Sequence, residues 1–209
     1  MAKKRAKAKT SHSPAHEFTR SVEAAAPAAT TYVSPLRTQK PPVTTWYEII
    51  STGFYSGYLP KAPGTWGSLF AALVFFLSAR LLPSEGLLHI GKFSVSWWAA
   101  LTGIFFTIIG IIASEKLANE WHEKDPGEVV VDEFAGMFLA CLLIAPNATG
   151  IAAAFVFFRL FDVWKPGPIH SLQDLPGGRG IVLDDVLAGL AAAPLAWLVQ
   201  FGIGKFVNG

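Results

Sequence analysis

Four stretches of this chain, residues 64–79, 93–114, 134–158 and 186–204, carry no charged side chain. A run of 22 uncharged residues such as 93–114, coiled as a helix, is long enough to cross the roughly 30 Å hydrocarbon core of a bilayer. Backbone polar groups in lipid must be satisfied within the segment, so helices are the economical solution. Only 15% of residues are charged and 52% are hydrophobic, with a mean hydropathy of +0.40. Soluble domains carry about 25% charged residues. A soluble bundle is the competing reading, because interior helices are also apolar all round. A bundle of about 165 residues has few such helices, whereas nearly every helix here is apolar. The expectation is an all-α, multi-pass membrane bundle.

The third stretch is 25 residues long but is interrupted by Pro146-Asn147. Each half is about 12 residues, or roughly 18 Å of helix, short of a full crossing. A re-entrant or hairpin segment and a single kinked crossing both fit. The fourth stretch contains Pro194, and the strand signal is weak except at Glu128-Val-Val-Val131.

Residues 1–45 hold eight Lys or Arg and two acids, in a background of Ala, Pro, Ser and Thr. Such a segment buries too little apolar surface to offset its chain entropy, so a disordered basic tail is expected before a helical domain at 46–209. The basic start lacks a following apolar core, so it does not read as a signal peptide. A polybasic tether to anionic lipid and a solubilising tail fit it equally well. Residues 46–209 carry nine basic and thirteen acidic residues, and no nucleic-acid partner is expected. With a single cysteine, Cys141, no intrachain disulfide can form.

All six aspartates lie between residues 125 and 185. Asp132-Glu133 immediately precedes the third apolar stretch, Asp162 closes it, and Asp184-Asp185 immediately precedes the fourth. Acids at segment ends lie where water and ions reach them. Convergence of these three groups would give an oxygen-rich pocket of the kind that hard cations such as Mg²⁺ select. Any one pair alone reads better as a helix N-terminal acid. Arg159, Asp162 and Lys165 recur at intervals of three, so Arg159 and Asp162 share a helix face, and Pro166 starts the exit. Basic groups beside a carboxylate suit a metal-bridged phosphate, although a local salt bridge with an interfacial anchor explains them as well. Two glycine-rich runs flank apolar stretches. The first holds Gly64, Thr65 and Gly67, whose backbone N–H groups can cradle phosphate; the second holds Arg179 and leads into Asp184-Asp185.

Several chemistries lack their residues. Cys141 is not followed six positions later by Arg, no DxDx[TV] run occurs, GxxxxGK[ST] is absent, and the five histidines show no metal-ligand spacing. A transporter or channel with acids lining an ion path is the main alternative, but it would place acids within segments rather than at their ends.

Four linked motifs carry a family resemblance: Pro63-Gly-Thr-Trp-Gly-Ser68, Asp125-Pro-Gly-Glu-Val-Val-Val-Asp132-Glu133-Phe-Ala-Gly136, Arg159-Leu-Phe-Asp-Val-Trp-Lys-Pro-Gly-Pro-Ile169 and Gly178-Arg-Gly-Ile-Val-Leu-Asp184-Asp185-Val-Leu-Ala-Gly189. In content, order and spacing they resemble the bacterial phosphatidylglycerophosphatase A family, over roughly residues 46–205. The resemblance implies Mg²⁺-dependent hydrolysis of phosphatidylglycerophosphate to phosphatidylglycerol in phospholipid synthesis. It also implies that Asp132, Glu133, Asp162, Lys165, Asp184 and Asp185 belong to the site. Metal would be held among Asp132, Glu133, Asp162, Asp184 and Asp185, with Arg159 and Lys165 on the phosphate. One pocket requires all four motifs on one membrane face, which favours the hairpin reading around Pro146. The positive-inside tendency places that face in the cytosol of a bacterial inner membrane.

Overall fold

The computed structural model describes residues 45–81, 87–90 and 93–208. The expectation of a disordered tail lies, but for Thr45, outside the described residues. Helix α1 (Trp46–Ser51) and a 3-10 turn (Ser56–Tyr58) lead into α2 (Pro63–Leu81). A two-stranded antiparallel hairpin, β1 (Leu87–Ile90) and β2 (Phe93–Ser96), pairs Leu87 with Ser96. Then follow α3 (Trp97–Trp121), α4 (Val131–Ala140), α5 (Ala148–Trp164), the short α6 (Pro168–Leu172) and α7 (Gly178–Asn208).

The apolar stretches map onto helices, with shifted ends. Residues 93–96 are strand rather than helix, because Ser96 caps α3 by accepting a hydrogen bond from the Ala99 N–H. That helix runs past the last uncharged residue to Trp121. Glu115, Lys116 and Glu120 sit on its exposed face while Leu117, Ala118 and Trp121 stay buried. Lys116 lies over the Trp46 ring and Tyr47 donates to Glu120. The valines of the strand signal form no ladder. Val129 and Val130 are buried loop residues, Val131 opens α4, and the Val130 N–H donates to the Ser51 carbonyl. Burial of the valine side chains, rather than strand pairing, explains their β-branched run.

The third stretch is two helices. α4 ends at Ala140 and α5 starts at Ala148, where Asn147 caps it by accepting from the Gly150 N–H. α4 is the centre of the bundle, and every residue of it except Asp132 is buried. It packs against α2, α3, α5 and α7. A Cβ on Gly189 of α7 would stand 2.1 Å from the Gly136 carbonyl oxygen. The two glycines thus let the backbones of α4 and α7 meet, as small residues do at close helix crossings. Around this axis Phe75 meets Phe138 edge to face, and Phe106 packs at a tilt against Phe134 and Phe138.

Helices α2, α3 and α7 are long and apolar enough to cross a membrane. Their outward faces carry Leu69, Leu73 and Leu77, then Leu101, Ile104, Phe105, Ile108 and Ile112, then Leu190, Leu198 and Phe201. Apolar surface this continuous is unfavourable against water and neutral against lipid. Pro194 sits inside α7 without ending it, which neighbouring helices make tolerable in a membrane bundle.

Candidate active site

The site forms where four helix ends and a loop meet. The N-terminal turns of α2, α4 and α7, the C-terminal end of α5 and the loop after α3 converge at one end of the bundle. The hairpin made by α4 and α5 brings Asp132 and Glu133 back beside Asp162. The Gly136–Gly189 crossing brings α7 and Asp185 to the same point. Glu133, Asp162, Asp184 and Asp185 are buried, and Asp132 is partly so.

One carboxylate oxygen from each of Asp132, Glu133 and Asp185 lies within 4.8 Å of the others. Asp162 sits at the edge of this trio, bordering Asp185. Its Oδ2 is 2.5 Å from Arg159 Nη1 and its Oδ1 is 3.8 Å from Lys165 Nζ. The same Lys165 ammonium donates to Asp184 Oδ2 at 2.5 Å. Asp162 is therefore the hub that holds both cations, and Asp184 ties one of them to α7. Lys165 reaches this position from the left-handed region, at φ 46°, as the C-cap of α5. A non-glycine residue there stores about 1 kcal/mol or more, held by its ion pairs and by the exit at Pro166. Burial works most strongly against the charge of Lys165, but the hydrogen bond to Asp184 and the charges of Asp184, Asp185 and Asp162 together outweigh it and raise its pKa above the ordinary lysine value.

The motif Pro63–Ser68 is the first turn of α2 rather than a loop. A Cβ on Gly64 would stand 2.0 Å from Glu133 Oε1 and 3.2 Å from Arg159 Nη1. Ser68 donates to the Gly64 carbonyl at 2.7 Å and accepts from Arg159 Nη1 at 3.4 Å. Gly64 thus borders the site, while Gly67 packs beneath the Val130 side chain and Thr65 is half-buried beside them. The second glycine run is also helical from Gly178 onward. A Cβ on Gly178 would stand 2.0 Å from the Ile111 carbonyl oxygen, so that glycine serves the contact with α3. Arg179 is exposed and does not line the cavity.

A cavity of about 480 Å³ opens over the acids. Its walls include Asp132, Glu133, Asp162, Lys165, Asp184 and Asp185 together with residues outside the expected site set. Those are Lys124, Asp125 and Gly127 from the loop after α3, and His170, Gln173 and Asp174 from α6 and its continuation. Asp125 and Gly127 belong to the second motif, but no pattern marked Lys124, His170, Gln173 or Asp174, which lie on loops and one short helix beside the acidic pairs.

The five carboxylates face two cations, so three negative charges are left unmatched. Asp132 Oδ1, Glu133 Oε2, Asp184 Oδ1 and Asp185 Oδ2 are buried with no hydrogen-bond partner. Burial, followed by the charge of Glu133, pushes the Asp132 carboxyl well above its usual range, and burial pushes Glu133 to about 8. Orphaned buried acceptors cost about 1–3 kcal/mol each, more when charged. A hard divalent cation supplies the missing charge and coordinates oxygen atoms of this type. The donor set fits such a cation.

The sequence profile of the family described as Phosphatidylglycerophosphatase A matches residues 49–200. A protein of Bacteroides thetaiotaomicron described as "Putative phosphatidylinositol-3-phosphatase" is 38% identical over 159 residues, 75% of this chain and 94% of that protein. Phosphatidylglycerophosphatase A of Escherichia coli is 34% identical over 73% of this chain and 83% of its own length. The Haemophilus influenzae protein of the same description is 33% identical over 73% of this chain and 88% of its own. No solved structure matches the chain. The matched residues span every element that builds the acidic cavity, and the chain belongs to the phosphatidylglycerophosphatase A family of phosphatases.

Proposed function

We propose that this protein removes the terminal phosphate of phosphatidylglycerophosphate in a Mg²⁺-dependent hydrolysis that yields phosphatidylglycerol for phospholipid synthesis. The observation that carries the reading is the buried trio of Asp132, Glu133 and Asp185, with its unpartnered oxygens, next to Arg159 and Lys165. Asp132, Glu133 and Asp185 would hold the cation, with Asp162 and Asp184 beside them. When bound, Mg²⁺ supplies Lewis-acid stabilisation of the phosphate and lowers the pKa of a coordinated water.

The chain's own residues do the rest. Arg159 and Lys165 donate to the non-bridging phosphate oxygens, which gain charge as the bond to the leaving alcohol breaks. Asp162 orients both cations. A carboxylate oxygen of the trio, Glu133 in our reading, accepts the proton of the attacking water. The phosphorus–oxygen bond to the glycerol headgroup breaks, and that oxygen takes a proton to become the free hydroxyl of the product. The first turn of α2, with Gly64, Thr65 and Gly67, borders the phosphate position, and Arg179 meets the headgroup layer from the exposed side.

The topology follows from the same reading. Helices α2, α3 and α7 cross the inner membrane of a bacterium. The α4–α5 hairpin enters and leaves from the cytosolic face, where the site opens. The test is phosphate release from phosphatidylglycerophosphate by the purified protein in mixed micelles. Release is expected with Mg²⁺, lost on adding EDTA and restored by excess Mg²⁺. Turnover that persists in EDTA, or none with any lipid monophosphate, contradicts the reading.

A further inference from the structure

The cavity is much larger than a phosphate group needs. The acids and Lys165 line part of it, and α6 with its continuation lines another part. Pro168 opens α6 and Ile169, 4% exposed, anchors it in the core. The helical turn then continues through Gln173 N–H to the His170 carbonyl and Asp174 N–H to the Ser171 carbonyl. His170, Gln173 and Asp174 therefore stand at spacings of three and four on one side of that turn, and all three line the cavity. Among the described residues, none of the three side chains hydrogen-bonds or ion-pairs with another residue. No side-chain hydrogen bond or ion pair ties them to the fold, yet they are set on an anchored element that shares the cavity with the carboxylates.

We infer that His170, Gln173 and Asp174 form a hydroxyl-binding subsite for the alcohol esterified to the scissile phosphate. This rests on the phosphatase reading and adds what the remaining space is for. In the proposed substrate that alcohol is a glycerol unit with a free hydroxyl next to the ester carbon. A hydroxyl both donates and accepts. The Asp174 carboxylate accepts, the Gln173 amide does both, and a neutral imidazole offers one nitrogen of each kind. The subsite makes these residues determinants of headgroup selection rather than catalytic residues.

The experiment compares phosphatidylglycerophosphate with its analogue lacking that free headgroup hydroxyl, using full-length protein and Mg²⁺ in mixed micelles. Unmodified protein is expected to favour the natural headgroup by about tenfold in kcat/KM, the scale of one or two hydrogen bonds. In the triple variant H170A/Q173A/D174A the ratio should fall toward one, with single variants in between. The three side chains are exposed or half-buried, so folding should tolerate their loss, and a thermal melt verifies this. A ratio unchanged in the triple variant, or a ratio of one in the unmodified protein, overturns the inference alone. Equal loss on both substrates also overturns it, because that marks a purely structural role. Absence of turnover on either substrate by unmodified protein would instead sink the phosphatase reading, and the subsite with it.

Discussion

At the residue scale, the site depends on a residue with no side chain. Gly64 leaves room for the Glu133 carboxylate, which lies where a Cβ would be, and Ser68 one turn later holds both the Gly64 carbonyl and Arg159. The first motif therefore acts through space and positioning more than through an N–H cradle. Gly64→Ala tests this. The new methyl must push the end of the flexible Glu133 side chain aside while leaving the helix, where alanine is favoured over glycine, intact. We expect phosphate release to fall about a hundredfold, the scale of an ångström-sized misplacement, with thermal stability unchanged. Near-normal turnover in Gly64→Ala would show that the position of Glu133 is not critical.

At the element scale, the hairpin is what makes the site possible. α4 and α5 descend and return, and the far end of the hairpin is clamped by Gln200. Its amide accepts from the Ala145 N–H at 2.9 Å, and donates to the Ala145 carbonyl at 3.0 Å and to Asn147 Oδ1 at 2.8 Å. Gln200 stands about 22 Å along α7 from Asp185. Gln200→Ala should cost about 1–2 kcal/mol of stability, seen as a lower melting temperature, while phosphate release at 25 °C stays within about twofold. A loss of activity as deep as that of an Asp185 variant would contradict the division between clamp and site. The break at Pro146-Asn147 was legible in the sequence, because proline and an Asn cap interrupt an apolar run in a recognisable way. Helix ends were not. The uncharged stretches stop where charge begins, yet α3 continues through Glu115, Lys116 and Glu120 by turning them outward, and α7 includes both of its acids. The acidic pairs were legible because charge is rare in this chain. The α6 wall was not, since His170, Gln173 and Asp174 carry no pattern apart from the cavity they line. The i,i+3 spacing did place Asp162 beside Arg159 and Lys165, but nothing in the spacing revealed that Asp132, Glu133 and Asp185 face one another.

At the scale of the whole molecule, an apolar outer surface surrounds a charged pocket at one end. The chain passes that end at α2, after α3, at α4, at the close of α5 and at α7, so each intervening pair of helices must go out and back. Residues 125 and 170 line the same cavity. Cys141, the only cysteine, is buried, so cysteines introduced at 125 and 170 can be labelled selectively. Both should react with a membrane-impermeant reagent from the same side of a sealed vesicle. Labelling from opposite sides would contradict the one-face arrangement. The account depends above all on a divalent cation held between Asp132, Glu133 and Asp185. Mn²⁺ serves as a paramagnetic substitute for Mg²⁺, and the electron paramagnetic resonance of the purified protein reads the bound ion directly. The account predicts bound Mn²⁺ that excess Mg²⁺ displaces and that D132A and D185A both lose while remaining folded. Mn²⁺ bound equally well by the unmodified protein and both variants would contradict it.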